Sequence, residues 1–219
     1  MKKNILFVLL TVLLSSCFEL DNYDAPNAGI NGSLIDSETG EVVYTEQPDG
    51  CRIKLLDLGY KDPTPLYFWA KANGTFRNVA LFEGDYKVSP IEGPFFPVTE
   101  EELSLKGVTD HNFKVTPYLK IKLVEVVPGE AGEVTVKFSL KRSTVPEGME
   151  IGKKTISEAW LLCNTMPVVS YYNGGYNDEL SVKKTLSRTS DETIESKDQE
   201  ITLDKLKSGV KYYLRLAAP

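Results

Sequence analysis

Two stretches of this sequence combine residue types and spacing that could do chemistry. The first is Leu14-Ser15-Ser16-Cys17, which follows the basic head Met1-Lys2-Lys3 and an apolar run from Ile5 to Leu14. A small-residue site ending in Cys behind such a run has the form of a bacterial lipoprotein signal. Cleavage before Cys17 would leave that cysteine as the new N-terminus, with lipid on its sulfur and amine. As a helix the run would span only about 15 Å, half of a hydrocarbon core, so it is too short to cross a bilayer. The second stretch is Tyr171-Tyr172-Asn173-Gly174-Gly175-Tyr176-Asn177, three tyrosines and two amides around a turn. Sugar rings stack their apolar C–H faces on aromatic rings, and amides hydrogen-bond hydroxyls. Trp69, in Tyr67-Phe68-Trp69, and Phe95-Phe96 are the other aromatic clusters. The candidate ligand-binding residues are therefore Tyr171, Tyr172, Asn173, Tyr176 and Trp69. The alternative for all of these rings is packing in a core or between domains.

Other chemistries lack their residues. His111 is the only histidine, and no cysteine pair has zinc spacing, so no metal or cofactor is expected. There is no Gly-rich phosphate loop and no Gly-x-Ser-x-Gly elbow. Glu100-Glu101-Glu102 reads as a solvated turn rather than half of a glycosidase pair. The chain is expected not to be an enzyme. Its formal charge is −6, and Lys2 and Lys3 lie in the segment that would be removed. With no basic stripe, nucleic acid is not an expected partner. Cys51 and Cys163 sit in alternating apolar segments and are expected as buried thiols rather than as a disulfide.

The elements that must position these residues are strands. Removing residues 1–16 leaves about 200 residues, enough for two domains of ordinary size. Residues 17–28, acidic and ending near Pro26, read as a tether. Residues 29–116 show short strands and tight turns. Cys51, Ile53 and Leu55 alternate with Arg52 and Lys54, Asn73-Gly74 predicts a hairpin turn, Tyr86 and Val88 face inward, and Pro90 to Pro97 break the sheet. Thr116-Pro117-Tyr118 marks the junction. In residues 117–219, Leu119, Ile121 and Leu123 alternate with lysines. Val134, Val136, Phe138 and Leu140 form the clearest strand, Trp160 and Leu162 mark a central one, and Ser187 to Gln199 reads as a mobile polar connection. Around Leu206, Gly209 and Tyr212 the chain resembles the tyrosine corner of immunoglobulin and fibronectin type III sandwiches, after which such domains carry one more strand. The expectation is an all-β protein of two consecutive β-sandwiches behind a lipoprotein signal peptide, the second ending at Ala217-Ala218-Pro219 either without its last strand or truncated before it.

Two family resemblances bear on function. Gly32, Asp36, Thr39-Gly40-Glu41, Asn73-Gly74-Thr75-Phe76, Leu81, Gly84, Tyr86 and Val88 resemble the prealbumin-like, carboxypeptidase-regulatory β-sandwich, which implies a fold and little chemistry. Through Asp21-Asn22-Tyr23-Asp24-Ala25-Pro26-Asn27, Glu92-Gly93-Pro94-Phe95-Phe96-Pro97 and Thr116-Pro117-Tyr118-Leu119, the chain is similar to two-domain lipoproteins of unknown function from Bacteroidota. That family is linked to glycan-uptake loci, and the resemblance supplies no catalytic or binding residues. It implies a lipid-anchored accessory of a polysaccharide-uptake system on the outer membrane. Such a protein would bind polysaccharide, or dock on a TonB-dependent importer or its glycan-capturing lipoprotein. Glu19, Asp21 and Asp24 resemble tethers that direct such proteins to the cell surface. The alternative is a structural, fimbria-like surface component assembled through strand edges.

Overall fold

Period-two alternation decides which side of each strand meets the core. The computed structural model describes residues 24–130, 132–149, 155–172 and 174–219. The expected signal segment, Cys17 and Asn173 lie outside the described residues. Among the described residues, no helix is long and apolar enough to cross a membrane.

Among the described residues, eight strands run up to Val115: β1 (Ala28–Asp36), β2 (Arg52–Asp57), β3 (Leu66–Trp69), β4 (Thr75–Leu81), β5 (Gly84–Ile91), β6 (Glu101–Leu105), β7 (Val108–Asp110) and β8 (Phe113–Val115). One sheet has the order β4-β1-β7, with β8 beside the far half of β1, and the other has the order β3-β2-β5-β6. The core lies between them. Ile30, Leu34, Phe76 and Phe113 come from the first sheet, and Ile53, Leu55, Tyr86, Val88 and Leu105 from the second. The Tyr86 hydroxyl leaves the core to donate to the Phe82 carbonyl at 3.1 Å. A Cβ on Gly32 would lie 1.6 Å from the His111 carbonyl oxygen. The β7–β8 connection thus crosses β1 at a distance only glycine allows.

Asn73-Gly74 does not close a hairpin. Its turn chemistry is as expected, with Gly74 at φ +73 and its N–H donating to the Lys71 carbonyl at 2.8 Å. However, β3 pairs with β2 and β4 pairs with β1. The turn is an arch between the sheets, which brings Phe68 and Phe76 to 6.2 Å across the core. Local turn propensity specifies the bend; burial of both rings specifies the partners. Pro90 also stays inside a strand. β5 pairs with β6 only as far as Val88, so from Ser89 to Ile91 its sole neighbour is β2. Proline is tolerated where one edge is free. Glu101 and Glu102 open β6 rather than forming a turn, and the run is divided by the pleat: Glu100 pairs with Lys54, Glu102 with Lys87, and Glu101 faces His111.

Six strands and a short helix follow: β9 (Leu119–Pro128), β10 (Val134–Arg142), β11 (Glu158–Asn164), β12 (Val182–Thr185), α1 (Asp191–Glu195), β13 (Gln199–Leu203) and β14 (Tyr213–Ala217). The sheets are β13-β10-β9 and β12-β11-β14. Val136, Phe138, Leu140, Ile201 and Leu203 face Ala159, Leu161 and Cys163 across the second core. The Lys207 N–H donates to the Tyr212 hydroxyl at 3.1 Å, which is the tyrosine corner. β14 has one neighbour among the described residues, β11. Along β9 and β14 runs an open groove of about 2200 Å³ that also reaches the first domain at Tyr44 and Glu46.

Two expectations for this half change. Leu123 is 53% exposed, because a bulge between Lys137 and Phe138 shifts the β9 register just there. The Ser187–Gln199 connection contains α1 instead of being an unstructured link. Ser190 caps the helix by accepting from the Thr193 N–H, and Ile194 is fully buried. Asp191 anchors it, pairing with Arg142 at 2.7 Å and accepting from the Ile156 N–H at 2.9 Å. A single apolar residue in a polar run leaves no periodicity to read.

The junction is built from the Pro-rich corner. Phe95 is buried in the first core, while Phe96 packs on Tyr118 at 5.0 Å. The Phe96 N–H donates to the Thr116 carbonyl at 2.9 Å, and the Tyr118 N–H to the Pro94 carbonyl at 3.0 Å. Away from the junction, Arg215 of β14 donates to the Thr45 carbonyl at 2.7 Å and to the Val169 carbonyl at 3.1 Å. Cys51 and Cys163 are separate buried thiols.

Candidate functional site

The five candidate ring and amide positions do not form one site. Tyr171 and Tyr176 come together, Tyr172 projects away from them, Asn173 lies outside the described residues, and Trp69 is in the other domain.

The tyrosine loop covers β11. Residues Ala159 to Cys163 are all buried, because Trp160 and Leu162 point away from the sandwich core and need a cover of their own. Val169 and Tyr176 from the loop provide it. Tyr171 lies between Trp160, 4.5 Å away, and Tyr176, 5.7 Å away and nearly parallel. Lys183 stands opposite Trp160 on β12, with its Nζ 4.8 to 5.0 Å from the centroids of Trp160, Tyr171 and Tyr176. It donates to the Tyr176 hydroxyl at 3.0 Å, and that bond first of all holds its ammonium above the usual lysine range. Tyr171 nevertheless stays 47% exposed, as open as Tyr67 and Trp69, while Lys183 fills the cation-attracting side of the cluster from within. Val169 and Tyr176 thus cover the outer face of β11, and Tyr171 lies against that cover with much of its ring open. Tyr172 remains 49% exposed, with no second ring beside it among the described residues.

Trp69 has different surroundings. In Tyr67-Phe68-Trp69 the pleat sends Phe68 to the core and leaves Tyr67 46% and Trp69 43% exposed on the outer face. On β2, Arg52 stands opposite Trp69 and Lys54 opposite Tyr67. The Arg52 guanidinium lies 4.6 Å from the Tyr67 centroid and 5.5 Å from that of Trp69. Glu92 holds it in a two-point ion pair, accepting from Arg52 Nε at 2.6 Å and from a terminal nitrogen. Glu92 is the one non-glycine residue with positive φ among those described, at +59, just beyond the end of β5. A residue held in that region needs support from its surroundings. The Arg52 hydrogen bonds, ahead of charge attraction, hold the Glu92 carboxyl below the usual range. Lys54 donates to Glu100 at 2.8 Å beside Tyr67. The outcome is a flat strip of two open rings flanked by fixed donors and acceptors. Tyr67, Arg52 and Glu92 were not singled out as ligand-binding residues from sequence. Period two would have paired Tyr67 with Trp69, but the β2 register and the Glu92 backbone carry no local signal.

Among the described residues, no group of three or more His, Cys, Asp or Glu side chains could hold a metal ion. The His111 ring lies edge-on to Phe113 at 4.8 Å, with Nε2 3.3 Å from Glu101. No nucleophile adjoins it. Cys51 is the more strongly shifted thiol, pushed up to about 12 by burial, which is the reverse of an activated one.

Fold and surface together define an all-β protein of two sandwich domains with an exposed aromatic strip on the first. Residues 28–116 match the family model described as the N-terminal domain of a protein of unknown function, DUF3823. A DUF3823 family protein from Bacteroides uniformis is 23% identical, over 88% of this chain and 89% of that chain, with a TM-score of 0.74. Another from Parabacteroides merdae is 21% identical, over 89% and 92%, with a TM-score of 0.66. A Bacteroides uniformis protein described as a "putative carbohydrate binding protein" is 24% identical, over 88% and 89%, with a TM-score of 0.65. At these identities the likeness is one of fold, and it extends over both domains. No curated protein matches the chain. The expected kinship with two-domain Bacteroidota proteins of unknown function is borne out, and no catalytic family is indicated.

Proposed function

We propose that this chain is a non-catalytic, lipid-anchored surface protein that binds glycan through the Tyr67–Trp69 strip as an accessory of polysaccharide uptake. The observation that carries the reading is the pair of open rings held beside Arg52 and Glu92. Aromatic faces take the C–H faces of sugars, and fixed charged donors and acceptors orient hydroxyls. The neighbour described as carbohydrate binding supports the same reading. Anchoring would come from lipid on Cys17, and the acidic tether after it would favour the outer face of the outer membrane.

Isothermal titration of the soluble domains against a panel of plant and host polysaccharides tests the binding. The expected result is binding that disappears in Y67A/W69A with the fold intact by circular dichroism. Absence of binding across the panel overturns the reading. For the anchor, labelled palmitate should enter the wild-type chain and not C17A, and protease added to intact cells should remove the protein from the surface. Full protection would place it on the periplasmic face.

A further inference from the structure

Building on the glycan reading of the same strip, we infer that the strip selects neutral polysaccharides and rejects polymers bearing carboxylate or sulfate groups. The charges on the outer face of the β3-β2-β5-β6 sheet lead to this. Three cations stand on it, Arg52, Lys54 and Lys87, and each is matched by a carboxylate of the same domain: Glu92, Glu100 and Glu102. Asp85 lies on the same outer face of β5, and Asp49 lies close enough to act on the Arg52 charge. The face has no surplus of positive charge to offer an anionic polymer.

Arg52 is the group that decides this. An unpaired guanidinium over two rings would be a ready receptor for a uronate or sulfate, because its fork matches such anions in two-point fashion. Glu92 already fills the side of the fork formed by Nε and one terminal nitrogen, and its charge stands beside the N–H groups that remain. An incoming carboxylate would have to displace Glu92 or take the remaining N–H groups against its negative charge. A neutral sugar asks for neither. Its C–H face lies on Tyr67 and Trp69, while its hydroxyls accept from the remaining guanidinium N–H groups and donate to the outer lone pairs of Glu92. Tyr67 and Trp69 are two residues apart on one strand, so their rings follow each other at about 7 Å along β3. That lays an extended chain along the strand rather than a single sugar across it. Glu92 acts through Arg52, and the left-handed backbone at Glu92 keeps its carboxylate there.

The test titrates wild type, Y67A/W69A and E92Q with galactomannan, xyloglucan and laminarin as neutral probes. Polygalacturonate and chondroitin sulfate are the anionic probes. Wild type should bind at least one neutral polymer, with affinity changing less than about twofold between roughly 0.05 and 0.5 M salt, since no ion pair forms on binding. Polygalacturonate should bind only E92Q, where Arg52 is released, and that binding should weaken as salt rises. Preferential, salt-sensitive binding of an anionic polymer by wild type through the same rings overturns this inference and leaves glycan binding standing. Failure of wild type to bind any of the five polymers removes the glycan reading itself and this inference with it.

Discussion

Glu46 accepts a hydrogen bond from the backbone N–H of Tyr171, 125 residues further along the chain, at 3.0 Å. The same carboxylate oxygen accepts from the Ser170 hydroxyl, and its other oxygen lies 3.8 Å from Arg215. The loop that covers β11 is therefore fastened to the first domain as well as to its own sheet. This contact and the Phe96–Tyr118 packing tie the two sandwiches together at separate points. In E46A the loop should lose its tie to the first domain at a cost of about 1–2 kcal/mol, because one charged acceptor serves several donors. Limited proteolysis should then cut first near Gly174, and urea denaturation should show the two domains unfolding with less overlap than in wild type.

The two aromatic clusters should respond in opposite ways to truncation. W69A removes an exposed ring and should change stability by less than about 1 kcal/mol, while weakening glycan binding about tenfold, the equivalent of one stacking contact. Y171A removes a half-exposed ring stacked against Trp160 and Tyr176 and should lower stability by about 1 kcal/mol with glycan affinity unchanged. Titration calorimetry paired with urea denaturation of each variant separates the roles. A loss of binding in Y171A with normal stability would move the site back to the loop.

Tyr212 offers a clean single-atom test. Y212F keeps the ring against the second core but removes the acceptor for the Lys207 N–H. The expected loss is about 1 kcal/mol in urea denaturation, with no change in the denaturant slope, because the compactness of both states stays the same.

The buried thiols give a pH prediction with a defined sign. Burial raises the folded pKa of Cys51 from 9.0 to about 12 and raises that of Cys163 as well. A folded state that holds its protons more tightly than the unfolded chain gains stability below pH 9, and loses it as pH rises from there towards 12. Stability measured by urea denaturation should therefore fall on moving from pH 8 towards pH 11. At pH 8 neither thiol of the native protein should react with Ellman's reagent, and both should react once the chain is unfolded. Rapid reaction of one thiol in the native state would contradict the burial.

What the sequence by itself determined were the features carried by neighbouring residues. Alternation at Cys51–Leu55 and Val134–Leu140, the bend at Asn73-Gly74 and the tyrosine corner at Tyr212 are local patterns, each legible because a pleat or a turn constrains only a few residues. The tertiary structure decided everything that depends on partners. It made the Asn73-Gly74 turn an arch because Phe68 and Phe76 had to share one core. It ordered Ser187–Gln199 around the single buried Ile194. It also gave the two aromatic clusters different surroundings. Tyr171 and Tyr176 read as a binding loop in one dimension; in the fold Val169 and Tyr176 cover Trp160 and Leu162 on the outer face of β11, and Tyr171 stays half exposed beside them. Trp69 reads from sequence as a ligand-binding candidate with packing as the alternative, and the pleat turns it outward. Only strand register and the left-handed backbone at Glu92 set Arg52 beside Trp69 and Glu92 against Arg52. These are contacts between residues 17 to 40 positions apart, and no local pattern encodes them, because the free energy that selects them comes from burying both sheets at once.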